Sequence, residues 1–152
     1  MESVFTSIFT KFEALLNQNY ELGKLLTETT QLLKREVSHY DWVGFYLLDR
    51  DTMMLVLGPY TGSSTEHTHI PVGKGICGQV ASSSQTMVVQ DVSQQANYLS
   101  CSMDVQSEIV VPILKDGSFV AEIDIDSHAY SPFTKEDEEF LAAIAERLSV
   151  YF

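Results

Sequence analysis

The sequence predicts an α+β domain: an antiparallel sheet with N- and C-terminal helices packed on one face and a ligand pocket under loops on the other. Helical apolar spacing lies near both chain ends, two hairpin signals lie between them, and the middle third is irregular and polar. No alternating strand and helix pattern of the parallel-sheet kind is present. The 152 residues contain no linker, repeat or low-complexity tract, which fits a single domain over residues 1–152. A chain of this size buries roughly 70% of the surface its unfolded form exposes, so no staple is needed.

Phe5, Ile8, Phe9, Phe12, Leu15 and Leu16 recur at helical spacing, and Leu22, Leu25, Leu26, Leu32 and Leu33 continue the pattern after Asn17 to Asn19. Two packed helices and one kinked helix fit these positions equally well. The run Trp42 to Leu48 and the run Met53 to Leu57, separated by Asp49-Arg50-Asp51, read as a β-hairpin that ends before Gly58-Pro59. Residues 67–72 read as a short extended piece, Gly75 to Ser82 as a short helix, and Thr86 to Val89 as a strand. The polar stretch from Asp91 to Met103 suits a binding loop. Glu108 to Leu114 and Phe119 to Ile125 form a second hairpin around Lys115-Asp116-Gly117-Ser118. A closing helix follows Ser131-Pro132-Phe133, with Thr134 and Asp137 as a capping box and Phe140, Leu141, Ile144 and Leu148 on its apolar face.

Nine basic residues against 21 acidic ones give a net charge of −12, which repels phosphate backbones and anionic lipid surfaces. Nucleic acid and membrane are therefore not expected as partners. No apolar stretch approaches a membrane span and the N-terminus lacks a basic leader, so a cytoplasmic location is expected. The acidic run Lys135 to Glu139 reads as a solvated helix start.

Two cysteines are too few for a disulfide scaffold and too far apart for a CxxC motif. Cys77, in Gly73-Lys74-Gly75-Ile76-Cys77-Gly78, falls in the first turn of a short helix. There the backbone N–H groups, with Lys74, favour a thiolate; the alternative is a small buried residue beneath a glycine turn. Cys101 falls in a polar loop, where exposure favours reactivity. Alternation puts Glu108 on one strand face with Val110 and Pro112, and it puts Asp124 and Asp126 together on the face opposite Ile123 and Ile125. The paired acids are equally compatible with an ordinary solvent-facing side. Trp42 and Tyr46, four apart, share a strand face. An aromatic wall, paired carboxylates and a thiol suit a small molecule with a positive group and an oxidisable or electrophilic part.

The ordered set Trp42-Val43-Gly44-Phe45-Tyr46, Leu57-Gly58-Pro59-Tyr60, residues 70–78 (IPVGKGICG), residues 88–92 (VVQDV), Cys101, residues 107–112 (SEIVVP) and residues 123–127 (IDIDS) resembles the free methionine-R-sulfoxide reductases. These are single-domain GAF proteins, and the resemblance covers the chain from about Leu16 to Leu148. It implies a GAF-like sheet and reduction of free L-methionine (R)-S-oxide to methionine.

The resemblance also implies roles. Cys101 falls on the nucleophile, whose thiolate attacks the sulfoxide sulfur and becomes a sulfenic acid. Glu108 and Asp126 fall on carboxylates near the sulfoxide oxygen, one of which must be protonated; like charges favour that. Asp124 falls on the acid that holds the substrate ammonium, and Trp42 and Tyr46 on the wall around the S-methyl end. Most members carry a third cysteine, the resolving one, ten residues before the GKGxCG cysteine, where this chain has His67. The aspartate that usually follows the nucleophile is here Ser102. Recycling then falls to Cys77 or to an external thiol. The implied reductant is thioredoxin or a similar dithiol, with no bound cofactor, and the implied assembly is a homodimer through the terminal helices. His67 and His69 alternate on one face but lack further ligands, so no metal site is expected. A non-catalytic sensor module binding a small molecule is the alternative reading, kept open by the absent resolving cysteine.

Overall fold

The computed structural model describes residues 3–95 and 104–152. The N-terminal apolar pattern forms two helices, α1 (Ser3–Leu16) and α2 (Leu22–Glu36). The break falls at Asn19, which adopts a left-handed φ of 58°, a conformation asparagine tolerates better than most residues and one that a continuous helix excludes.

Six strands follow: β1 (Trp42–Asp49), β2 (Met54–Thr61), β3 (His69–Pro71), β4 (Met87–Val89), β5 (Ser107–Lys115) and β6 (Ser118–Ser127). They form one sheet in the order β3-β2-β1-β6-β5-β4, and every neighbouring pair is antiparallel. Helix α3 (Gly75–Ser83) joins β3 to β4, and α4 (Lys135–Ser149) closes the fold.

Two differences from the sequence expectation have local causes. Strand β2 continues through Gly58-Pro59 to Thr61, because the register against β1 shifts between Gly44 and Tyr46 and the ladder resumes beyond it. A bulge tolerates proline, which lacks the N–H a regular ladder needs. His67 lies outside β3, so the two histidines do not share a strand face.

Alternation divides the sheet into two chemically different faces. Val43, Phe45, Ile109, Val111, Ile113, Ala121, Ile123 and Ile125 point to a core that they share with α1, α2 and α4, built from Phe5, Phe12, Leu25, Leu33, Phe140 and Ile144 among others. The opposite face carries a smaller cluster, Trp42, Tyr46, Leu55, Ile70, Ile76, Cys77, Val80, Val89, Val110 and Phe119, packed beneath α3. Phe119 belongs here despite its odd number because a second bulge, between Ile113 and Leu114, puts an extra residue into β6 and re-aims it.

The capping box is present, and Asp137 does more than close the helix. Its carboxylate accepts bonds from the Thr134 N–H (2.8 Å) and hydroxyl (3.0 Å), from the Tyr40 hydroxyl (2.7 Å) and from His39 Nε2 (2.8 Å). Asp137 therefore ties the start of α4 to the segment between α2 and β1. Burial alone would raise its carboxyl; the bonds from His39, Thr134 and Tyr40 outweigh that and hold it below the usual value. A depressed carboxyl stabilises the fold above the unfolded value and loses that effect as pH falls through the folded one. Asp137→Ala should cost about 2–4 kcal/mol in urea unfolding at pH 7. The difference from wild type should shrink at pH values below about 4; a constant difference across pH would contradict the ionic role.

Candidate active site

The register of three central strands assembles the site. On the α3 side of the sheet, Asp126 of β6 lies between Trp42 of β1 and Glu108 of β5. One step along, Asp124 lies between Gly44 and Val110; a further step along, Glu122 lies between Tyr46 and Pro112. Three carboxylates on one strand and a fourth on its neighbour thus share a covered face. All four are buried: Glu108 is 4% exposed, Glu122 0%, Asp124 2% and Asp126 1%. An ordinary solvent-facing side is therefore excluded for Asp124 and Asp126.

Helix α3 brings the thiol to this face. Gly78 lets the turn before α3 close, because a Cβ there would sit 2.6 Å from the Pro71 carbonyl oxygen, and Gly73 N–H bonds to Gly78 O at 2.7 Å. Cys77, third in the helix, is buried with its Sγ 3.9 Å from Glu108 Oε2. Burial, then the charges of Asp124, Glu122 and Glu108, push its thiol well above the ordinary value. Of the two sequence readings the buried residue beneath a glycine turn is the one found: desolvation and the three acids Asp124, Glu122 and Glu108 outweigh what the helix start and Lys74 could do to favour a thiolate.

The aromatic pair shares a face as expected, with divided tasks. Tyr46 lines the cavity, and its hydroxyl donates to the His67 carbonyl oxygen at 2.8 Å, fixing the loop that carries His67. Trp42 sits two rows from Tyr46, donating from Nε1 to Ser63 O (2.9 Å) and stacking on Tyr60 with ring centroids 5.4 Å apart. Its indole lies over Gly44, where a Cβ would come within 2.4 Å of the ring. Trp42 is not among the cavity's lining residues, which are Tyr46, His67, Ile70, Ile76, Cys77, Glu108 and Asp124. The cavity admits about one water-sized sphere, ≈10 Å³. Cys101 lies outside the described residues.

Glu122 was not singled out from the sequence, although extending the Asp126, Asp124 alternation by one step reaches it. Neither of its carboxylate oxygens has a hydrogen-bond partner at normal geometry. Burial and then the neighbouring Asp124 push its carboxyl well above the usual range, which the Cys77 thiol offsets in part. Burial likewise raises Asp124, with Glu108 and Cys77 offsetting it in part. The arrangement can hold a cationic group, favour the protonated form of a carboxyl, and present a thiol to the same small space.

Residues 21–152 match the family described as GAF domain. Over 137 residues the chain is 35% identical to the free methionine-R-sulfoxide reductase of Escherichia coli (strain K12), covering 90% of this chain and 81% of that protein.

The chain belongs to the free methionine-R-sulfoxide reductase family.

The Saccharomyces cerevisiae reductase is 38% identical over 111 residues, covering 72% of this chain and 61% of that protein. Among solved structures, the Neisseria meningitidis reductase in complex with its substrate superposes with a TM-score of 0.93 at 32% identity, covering 100% of this chain and 91% of that one. The Staphylococcus aureus enzyme in complex with substrate gives 0.88 at 35% identity, covering 97% and 94%. The GAF architecture and the sheet with terminal helices on one face agree with the sequence expectation.

A group with a raised carboxyl stabilises the fold fully below its unfolded value and loses that contribution as pH rises through the folded one. For Glu122 the loss starts near the unfolded glutamate value of about 4.3. Glu122→Gln should remove this slope and exceed wild type by roughly 1–3 kcal/mol at pH 8 in denaturant titrations, with convergence below pH 4. Parallel profiles for the two proteins would show that Glu122 is not the buried acid responsible.

Proposed function

We propose that this chain reduces free methionine (R)-sulfoxide to methionine. The observation that carries the reading is the buried cavity framed by Tyr46, Cys77, Glu108 and Asp124, in a member of the reductase family. A free amino acid brings an ammonium group that needs a buried carboxylate, and Asp124 serves it. The sulfoxide oxygen must leave with a proton, and Glu108 and Asp126, in the same cross-strand row as Trp42, are the acids for that task. Tyr46 encloses the apolar S-methyl end, and Trp42 joins that wall once the cavity widens around the substrate. The substrate is much larger than one water, so binding includes widening of the ≈10 Å³ cavity.

Cys101 is the nucleophile in this reading. Its thiolate forms a bond to the sulfoxide sulfur as a protonated carboxyl gives its proton to the oxygen; the resulting hydroxyl moves to the Cys101 sulfur, the substrate S–O bond and the new S–S bond both break, and methionine leaves. Cys101 is then a sulfenic acid, oxidised by two electrons as the substrate is reduced by two. A second thiol attacks that sulfur, expels water and forms a disulfide, which an external dithiol of the thioredoxin kind reduces. Cys77 is the internal candidate for the second thiol, its high pKa making it slow until a carboxylate accepts its proton. A homodimer in the reducing cytoplasm, paired through its terminal helices, completes the reading.

A thioredoxin-coupled NADPH oxidation assay should show turnover of the R epimer and at least about 100-fold less of the S epimer. Cys101→Ser should abolish it. Ligand binding by calorimetry without turnover under any reductant would support a non-catalytic sensor instead. After a single turnover without reductant, mass spectrometry should find a Cys77–Cys101 disulfide, two hydrogens lighter than the dithiol; a persisting sulfenic acid on Cys101 would assign resolution to an external thiol.

A further inference from the structure

Glu108, Asp124 and the Cys77 thiol line one small cavity, with Glu122 and Asp126 buried on the same sheet face, and among the described residues no lysine or arginine lines it. One sulfur and two carboxylate oxygens, from Cys77, Glu108 and Asp124, all lie within 4.8 Å of one another, and all three residues are buried. That is close to the spacing of donors around a single small cation, with metal–sulfur distances of about 2.3 Å and metal–oxygen distances of about 2.0–2.2 Å. The cavity between them, ≈10 Å³, takes a single water-sized sphere. An ion fits it without the widening that an amino acid requires.

A second observation points the same way. Glu122 is fully buried, neither of its oxygens has a hydrogen-bond partner at normal geometry, and it lies within electrostatic reach of Cys77 and Asp124. The Asp124 Oδ1 oxygen lacks a partner as well. Buried oxygens without donors are costly to keep in water-free surroundings, and a divalent ion satisfies several at once.

We propose that this pocket is a site for one thiophilic divalent cation of the zinc type, held by Cys77 Sγ, Glu108 and Asp124, with Glu122 as the supporting carboxylate. The thiolate selects against magnesium and calcium, which take oxygen ligands and coordination numbers of six or more. The histidines play no part in this ligand set, which differs from the pair weighed from the sequence. On the reductase reading above, the ion occupies the carboxylates that the substrate needs and sequesters the Cys77 thiol, so zinc and methionine sulfoxide exclude each other.

The test uses the full-length, reduced, metal-free protein. Zinc titration against a chromophoric chelator should give one Zn²⁺ per chain, and magnesium at millimolar concentration should not compete. With Cd²⁺ as the optical probe, the sulfur-to-metal charge-transfer band should persist in Cys101→Ser and vanish in Cys77→Ser. Glu122→Gln should weaken zinc binding by at least about tenfold. Circular dichroism and melting confirm that each variant is folded, and Glu108→Gln provides a second ligand variant should Cys77→Ser fail that check. Absence of stoichiometric zinc binding overturns the proposal. So does a cadmium band that survives Cys77→Ser or disappears in Cys101→Ser, since either assigns the metal to another thiol. These readouts need no turnover, so a protein that binds zinc here but reduces no sulfoxide would retain the metal site and refute the reductase reading.

Discussion

The register of β6 between β1 and β5 is the constraint on which the other features depend. Side chains alternate along a strand, so one choice of register sends Ile123 and Ile125 into the helix-covered core and Glu122, Asp124 and Asp126 to the opposite face. A slip of one residue would bury three carboxylates among Phe12, Leu33 and Phe140 and expose the isoleucines to the α3 side. The apolar contacts of the large core therefore hold the acids where they are, although the acids themselves oppose folding. Stability and chemistry sit on opposite faces of the same strands.

This division explains how the fold tolerates a cluster that would destabilise it in isolation. Burying several carboxylates together is unfavourable by amounts comparable to a small domain's whole stability, and proteins retain such features where function requires them. The offset comes from elsewhere: three helices on the far face, the stacked Phe5 and Phe140 rings at 4.6 Å, and the Asp137 junction that joins α4 to the start of β1. Asp137 and Glu122 make the contrast plain. Both are buried acids; one receives four hydrogen bonds and is held ionised, whereas the other has no normal partner and is driven toward its neutral form.

Most of the fold was legible because its signals are local. The apolar spacing from Phe5 to Leu33, the turn at Asp116-Gly117, and the Thr134 and Asp137 cap each read from a few neighbouring residues. The end of β2 was misjudged because a glycine-proline pair ordinarily terminates a strand, and only pairing with β1 through a bulge carries it on to Thr61. The site was partly legible. Alternation marks Asp124, Asp126 and Glu108 and extends to Glu122, but that Glu122 is buried between Tyr46 and Pro112 depends on the neighbouring strands, which the linear pattern does not contain.

By itself, the sequence determined the class of fold, the two-faced character of β6 and the motif set that marks the family, since periodicity and residue order are properties of the chain. Tertiary structure decided everything that depends on what packs across a gap. It buried the acids under α3, chose the buried, suppressed thiol over the thiolate for Cys77, separated Trp42 from the cavity that Tyr46 lines, and put Glu122 beside them. The physical reason is that desolvation and Coulomb forces act through space: a residue's charge state follows its neighbours in three dimensions, and a linear pattern names only its neighbours along the chain.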